Sequence, residues 1–189
     1  MPQEPPKEPK VFDFSLILII LGSILILVFA GWRFYTARIL SFEGQVQEAV
    51  AKEGYRPVSI KISSINLSLD VSEGAVADGV WQISKTGASH LNVSVNPGEG
   101  GNTVIYGHNK NSLFGPIRWL EKGAEIEVSD ENGNKYIYVV SETLEVTPDK
   151  IDYVLPKSEE VLTLYTCTGL FDSKRFIVIA KPFSFLTTP

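Results

Sequence analysis

The chain has 189 residues, 44% of them hydrophobic and 21% charged, with a formal net charge of −5 at pH 7. This composition is typical of one folded domain with a short appendage, and it excludes a fibrous repeat or a wholly disordered chain. Because the net charge is acidic, no broad basic surface is available for phosphate backbones. We therefore expect no nucleic-acid partner.

The first predicted element is an apolar helix. Residues 14–32, FSLILIILGSILILVFAGW, contain no charge, and 19 residues at 1.5 Å each cross about 30 Å of hydrocarbon. We predict a transmembrane anchor here and a cytoplasmic tail over residues 1–13. The alternative is a cleaved signal peptide, because Val28-Phe29-Ala30 resembles a cleavage site. Two basic residues near each end of the segment leave its orientation open.

A second helix is predicted between the anchor and the domain. Ile39, Phe42, Val46 and Val50 recur at helical intervals among polar residues, and a glycine follows at position 54. Residues 33–56 are therefore expected to form a helical stalk.

From residue 57 onward the pattern changes to β-strands. Apolar residues alternate with polar ones over 58–62 and, with the opposite parity, over 65–71, which predicts two strands or one strand broken at Ser63-Ser64. Further strand-like runs, separated by Gly, Asn and Pro turn signals, occupy residues 91–95, 103–107, 125–129, 135–146, 161–167 and 175–181. Residues 57–189 thus predict a mostly β domain, closed or nearly closed and antiparallel.

Cys167 is the only cysteine, and the chain has two histidines. Without CxxC or HxxxH spacing these are too few ligands for zinc, so we expect no metal and no cofactor. A nucleophilic cysteine needs a nearby base and a stabilised thiolate. If residues 161–167 and 175–181 form a hairpin, Cys167 and Arg175 lie opposite each other, with Cβ atoms about 5 Å apart.

His108 follows the strand-like residues 103–107 at the start of a loop, where a side chain can be aimed into a cleft as a general acid or base. Nothing local favours His90 over His108. Each of these residues also has a purely structural interpretation, above all a small buried hydrophobe for Cys167. A lone thiol exposed to an oxidising exterior is nevertheless a liability unless it is used.

Three segments occur in the order found in the sortases, and the chain resembles that family in them. They are PGEGGNTVIYGH, which ends at His108, TLYTC, which ends at Cys167, and RFIVIA, which starts at Arg175. Sortases are cysteine transpeptidases of the bacterial cell surface. The resemblance also includes LFGPIRWLEKGAEIEV and extends over roughly residues 58–180, behind the N-terminal anchor.

This resemblance implies a closed β-barrel of about eight strands with short helices, one of them at 113–121. It implies Cys167 as nucleophile, His108 as general acid and base, and Arg175 as the residue that stabilises the oxyanion or positions the substrate. It further implies that the loop at residues 144–160 helps to select the sorting motif. Some sortases bind calcium through acidic residues in loops. This sequence has no acidic cluster that matches those loops, so no metal is assigned.

The implied activity is cleavage of a surface protein at an LPxTG-like C-terminal sorting motif through a thioacyl intermediate. The acyl group then passes to an amine of a cell-wall precursor or a pilin. The enzyme would be a single-pass protein of the cell membrane with an extracytoplasmic catalytic domain. Two alternatives stay open: a cysteine hydrolase of another fold, and a membrane-anchored β domain without catalysis, in which Cys167 is buried and inert.

Overall fold

The apolar N-terminal segment forms one helix, α1, Phe14–Ala37, in a computed structural model that describes residues 14–37, 40–44, 46, 54–77 and 79–183. Within it, Phe14–Tyr35 is long and apolar enough to cross a membrane, and it includes the predicted anchor. The predicted tail, residues 1–13, lies outside the described residues. α1 belongs to one compact unit, Met1–Ala37, and the β domain belongs to another, Arg38–Pro189.

The helical stalk predicted over residues 33–56 is wrong where the chain is described beyond α1. Residues 40–44, 46 and 54–56 are not helical. Leu40 and Phe42 are buried in the β domain instead, so their apolar character has a different cause. The rest of the predicted stalk, residues 38, 39, 45 and 47–53, lies outside the described residues.

The β domain is a closed barrel of eight strands, which confirms the predicted fold class. Its strands are β1 (Pro57–Ile62), β2 (Leu67–Gly74), β5 (Ala88–Leu91), β6 (Asn102–Tyr106), β7 (Glu125–Asp130), β8 (Lys135–Val146), β9 (Val161–Thr168) and β10 (Lys174–Pro182). Two further short strands, β3 (Val76–Ala77) and β4 (Val80–Trp81), form a separate pair. Short 3₁₀ helices lie at Ser63–Ile65, Gly115–Trp119, Ile151–Tyr153 and Leu170–Asp172.

The order of strands around the barrel is β1-β2-β5-β6-β9-β10-β8-β7. Most neighbours are antiparallel, as predicted, but β2–β5 and β6–β9 are parallel. Parallel neighbours need a long crossover connection, and the chain supplies one in residues 107–160 between β6 and β9. As a result, the ends of β6 and β9 lie at the same rim of the barrel.

Two local predictions are corrected by the structure. The strand predicted over residues 91–95 lies earlier, at Ala88–Leu91, because the chain turns after Leu91, whose carbonyl accepts a hydrogen bond from the Ser94 amide (2.8 Å). The helix predicted over 113–121 is a shorter 3₁₀ helix at Gly115–Trp119.

Strand β9 separates two hydrophobic clusters. Leu162 and Leu164 point into the barrel with the apolar residues of the other strands. Tyr165 and Cys167 belong to a second cluster on the outer face of β6, β9 and β10. This division follows from the period-2 alternation of a strand, and it confirms the prediction that Cys167 and Tyr165 share a face.

Candidate active site

The three predicted site residues lie at one rim of the barrel, two of them on β9 and β10 and the third just after β6. Cys167 of β9 is paired directly with Arg175 of β10. On the other side, β6 runs parallel to β9 with Tyr106 beside Tyr165. His108 and Cys167 follow this pair by two residues each, so both residues lie at the same rim of the barrel.

The start of the His108 loop is held to β9 by hydrogen bonds. The Gly107 amide donates to the Tyr165 carbonyl (3.3 Å), and the Thr166 hydroxyl donates to the Gly107 carbonyl (2.8 Å). His108 itself is partly buried. Its pKa is lowered mainly by this burial and further by Lys110, with Asp172 opposing the shift. We conclude that the His108 imidazole is neutral at neutral pH.

The Cys167 thiol is almost fully buried, with an exposed fraction of 1%. Burial raises the pKa of the thiol to about 12, although Arg175 acts in the opposite direction; Asp172 adds to the rise. The covered thiol is therefore neutral at neutral pH, because burial shields it from water and disfavours the thiolate.

Arg175 is also buried, with an exposed fraction of 3%. One of its terminal nitrogens, Nη1, donates to the carbonyls of Asp172 (2.9 Å) and Lys174 (3.0 Å), which fixes the turn between β9 and β10. The other, Nη2, donates to the Ser41 carbonyl (2.9 Å). Its Nε is buried without an acceptor among the described residues, and such a donor is costly to leave unsatisfied.

Residues 40–44, here called the strap, cover Tyr165, Cys167 and Arg175. Phe42 is 3% exposed, and its ring packs edge-on against Tyr165 at 5.1 Å between centroids and lies 6.0 Å from the Arg175 guanidinium carbon. Leu40 is completely buried. A cavity of about 350 Å³ remains between the strap, Gly79, Pro148 and Arg175.

Backbone and hydroxyl hydrogen bonds hold the strap in place. The Tyr165 hydroxyl donates to the Leu40 carbonyl (3.2 Å), and the Trp81 amide donates to the Ser41 hydroxyl (3.1 Å). The Glu43 amide donates to the Pro148 carbonyl (2.9 Å). Sequence reasoning missed the strap because its partners are distant in the chain. The apolar Phe42 between polar neighbours was the only local signal.

His90 plays a different part from His108. It is fully buried in β5, where Nδ1 lies 2.8 Å from a carboxylate oxygen of Glu73 and Nε2 lies 3.1 Å from the Val95 carbonyl. The Ser94 hydroxyl is also 3.1 Å from Nε2. These contacts fix β5 to its neighbours, and they identify His90 as a structural residue.

No group of three or more His, Cys, Asp or Glu side chains suited to a metal occurs within residues 14–37, 40–44, 46, 54–77 and 79–183.

Comparisons with known proteins identify the family. Residues 60–183, more than half of the chain, match the sequence model of the sortase domain. The chain is 36% identical over 123 residues to sortase A of Bacillus anthracis, and the match covers 63% of this chain and 56% of that protein. The chain thus matches little more than half the length of this curated relative.

Solved structures give the same result. Sortase C1 of Streptococcus agalactiae is 28% identical with a TM-score of 0.57, covering 71% of this chain and 70% of that one. A sortase D5 transpeptidase of Clostridium perfringens is 25% identical with a TM-score of 0.56, covering 71% of this chain and 82% of that one. Since the domain model matches more than half of the chain and the barrel agrees with it, the chain belongs to the sortase family.

Proposed function

We propose that the protein is a membrane-anchored cysteine transpeptidase that cleaves surface proteins at an LPxTG-like C-terminal sorting motif. The observation that supports this proposal is the direct pairing of Cys167 on β9 with Arg175 on β10, with His108 two residues after the end of the neighbouring strand β6. A thiol, an imidazole and a fixed guanidinium at one rim supply the nucleophile, the proton carrier and the oxyanion donor of acyl transfer.

In the proposed reaction, the Cys167 sulfur attacks the carbonyl carbon of the scissile peptide bond while His108 takes the thiol proton. Arg175 stabilises the resulting oxyanion. The tetrahedral intermediate collapses as His108 gives its proton to the leaving amine, which leaves a thioacyl bond on Cys167. An incoming amine attacks that bond, His108 accepts the amine's proton, and the new amide departs as the Cys167 sulfur recovers the proton.

The substrate would occupy the groove that the strap now fills. The Ser41 carbonyl accepts a hydrogen bond from Arg175 Nη2, so it marks a position at which a substrate carbonyl can bind. A second carbonyl can satisfy the buried Nε. Binding of substrate therefore requires the strap to leave, and access of water then lowers the pKa of Cys167 toward its ordinary range.

The proposed partners are surface proteins with a sorting signal, and a cell-wall precursor or pilin that supplies the amine. Helix α1 contains a stretch suited to a membrane, and sortases are membrane-anchored enzymes of the cell surface. We place the protein in the cell membrane by one span, with the barrel on the extracytoplasmic side.

The test uses the full chain in detergent with a library of LPxTG-like peptides and an added amine. Intact-mass analysis should find a thioacyl adduct on Cys167 and an amine-exchanged peptide, and Cys167→Ala should give neither. Failure of every peptide to form an adduct, or exchange by Cys167→Ala, would contradict the proposal.

Two other outcomes would identify the alternatives. Hydrolysis without amine exchange would indicate a cysteine hydrolase. The burial of Cys167 is also what a non-catalytic domain predicts. That alternative would gain if loosening of the strap by Phe42→Ala exposed the thiol to iodoacetamide without producing any peptide adduct.

A further inference from the structure

A buried side chain of β6 is hydrogen-bonded to the long loop between β8 and β9, residues 147–160. Asn102, at the start of β6, is only 2% exposed. Its side-chain nitrogen donates to the Tyr153 carbonyl (2.9 Å) and to the Leu155 carbonyl (3.0 Å). Both amide hydrogens of Asn102 are therefore used on the loop.

A second side chain fixes the orientation of the Asn102 amide. The Thr163 hydroxyl, fully buried on β9, donates to Asn102 Oδ1 (2.7 Å) and also lies 3.2 Å from the Tyr153 carbonyl. With Oδ1 accepting from Thr163, the amide nitrogen must face the loop. A flipped amide would place its oxygen against two carbonyls and its nitrogen against a hydroxyl donor.

The two carbonyls held by Asn102 belong to the residues on either side of Val154. This valine is 1% exposed and belongs to the outer-face cluster with Leu40, Phe42 and Tyr165. Ile151 and Tyr153 pack against the same cluster. Asn102 thus holds the backbone on both sides of Val154, a residue of the cluster against which the strap packs.

We propose that Asn102 is a positioning residue for substrate selection. It holds Val154 so that the groove accepts an apolar side chain of the sorting motif at the place now taken by the strap. The inference rests on the proposed function, since it assigns a substrate contact to the same groove. Asn102 is too deeply buried to contact the substrate, and it acts through the loop.

The physical basis is preorganisation. A loop of 14 residues that must be ordered by the substrate would subtract its ordering free energy from the binding free energy, whereas a loop already held by buried hydrogen bonds would not. Loss of the two hydrogen bonds from Asn102 to the loop should therefore raise KM and weaken discrimination between motifs, with little effect on the chemical step.

The test compares Asn102→Ala with the wild-type full chain in detergent, using peptides with Leu or Ala at the first motif position. We expect KM for the Leu peptide to rise about tenfold while kcat stays within about twofold, since a binding contribution is lost rather than a transition-state interaction. The preference for Leu over Ala should fall, and amide hydrogen exchange across residues 150–156 should accelerate.

A purely structural role is distinguished by a matched control. Asp130 is also 2% exposed, and it holds the β7–β8 turn by accepting from the Asn132 and Asn134 amides (both 2.9 Å). Asp130→Ala should lower stability without changing KM or motif preference. Equal KM changes in the two variants, or an unchanged motif preference in Asn102→Ala, would overturn the proposal.

Two more variants keep the test decisive if Asn102→Ala does not fold. Asn102→Leu is close to asparagine in size but removes both donors to the loop, so it should reproduce the KM effect, while Thr163 keeps the Tyr153 carbonyl as an acceptor. Val154→Ala should weaken the same preference, and its effect should not add to that of Asn102→Leu, because both act through the position of Val154. Additive effects would contradict the mechanism.

Failure of the proposed function would look different. If the wild-type chain forms no adduct with any peptide, the transpeptidase proposal fails and the role of Asn102 in selection fails with it. If the wild type is active and the Asn102 variants keep their KM and preference, only the positioning role is wrong.

Discussion

The two faces of β9 are equally buried but are covered in different ways. All eight residues of the strand are buried. The inner face, with Leu162 and Leu164, packs against strands that close the barrel. The outer face, with Tyr165 and Cys167, is covered by Leu40 and Phe42 of the strap together with parts of loops. Only the outer cover can leave without opening the barrel.

The energetics of the strap are consistent with its removal. Ordering a residue costs about 1–2 kcal/mol of backbone entropy. A net contribution of about 1 kcal/mol from each hydrogen bond and about 1.5–3 kcal/mol from each buried large side chain offsets this cost. Because these contributions nearly cancel over the strap, we expect it to open while the barrel stays folded.

The largest effect is expected on the inner face. Leu164→Ala removes a completely buried side chain and should lower the free energy of unfolding by about 2–5 kcal/mol. Denaturant unfolding of the full chain measures this free energy. Phe42→Ala should lower it far less, since at most the docking free energy of the strap is lost. Equal losses would mean that the strap and the barrel unfold as one unit.

The next effect concerns Arg175, which donates to the strap and, in the proposed reaction, to the substrate. Arg175→Gln should reduce kcat for amine exchange about 10²–10³-fold, as removal of an oxyanion donor does. Arg175→Lys keeps the charge but not the fork-shaped donor set, and it should recover only part of the rate. Full activity in Arg175→Gln would remove Arg175 from the proposed mechanism.

A change of pH separates the covered state from the open state. In the wild type, the pKa of Cys167 is about 12, so the alkylation rate by iodoacetamide should rise about tenfold per pH unit up to pH ~11, because only the thiolate reacts. Phe42→Ala admits water, which favours the thiolate and lowers the pKa toward its ordinary value near 9.0. Its rate at pH 8 should be at least about tenfold higher and should level off near pH ~10.

Identical pH profiles for the two proteins would show that the strap does not cause the high pKa of the thiol. A matched control is Phe176→Ala, since Phe176 packs against the inner cluster rather than the outer one. That variant should keep the wild-type profile while the protein remains folded.

Sequence patterns predicted the positions of these residues within the strands well. Alternation along residues 161–167 assigned Tyr165 and Cys167 to one face, and a hairpin placed Arg175 opposite Cys167, as the register confirms. These features depend on neighbouring residues and on one short connection, which is the range over which periodicity is informative.

The cover of the outer face could not be predicted in the same way. Phe42 of the strap packs against Trp81 and Tyr165, and the Asn102 side chain donates to the Tyr153 carbonyl of the loop. Such contacts depend on the closed strand order, which alternation does not determine. The parallel pairing of β2 and β5 that places Glu73 beside His90 was equally hidden, and the apolar spacing at Phe42 was mistaken for a helix.

The smallest effect is expected from the loss of one hydrogen bond of the strap. Ser41→Ala leaves the Trp81 amide without the acceptor that it has now at 3.1 Å, and this should weaken docking of the strap by about 1 kcal/mol. The open population, and with it the alkylation rate of Cys167, should rise about fivefold. Ser141→Ala removes a comparable hydrogen bond, from the Ser141 hydroxyl to the Ile179 carbonyl (3.0 Å), on β8. It should leave the rate unchanged, because the hydrogen bond belongs to the barrel. If both variants accelerated alkylation equally, the thiol would be exposed by motion of the barrel, and the separation between a fixed inner face and a removable outer cover would be wrong.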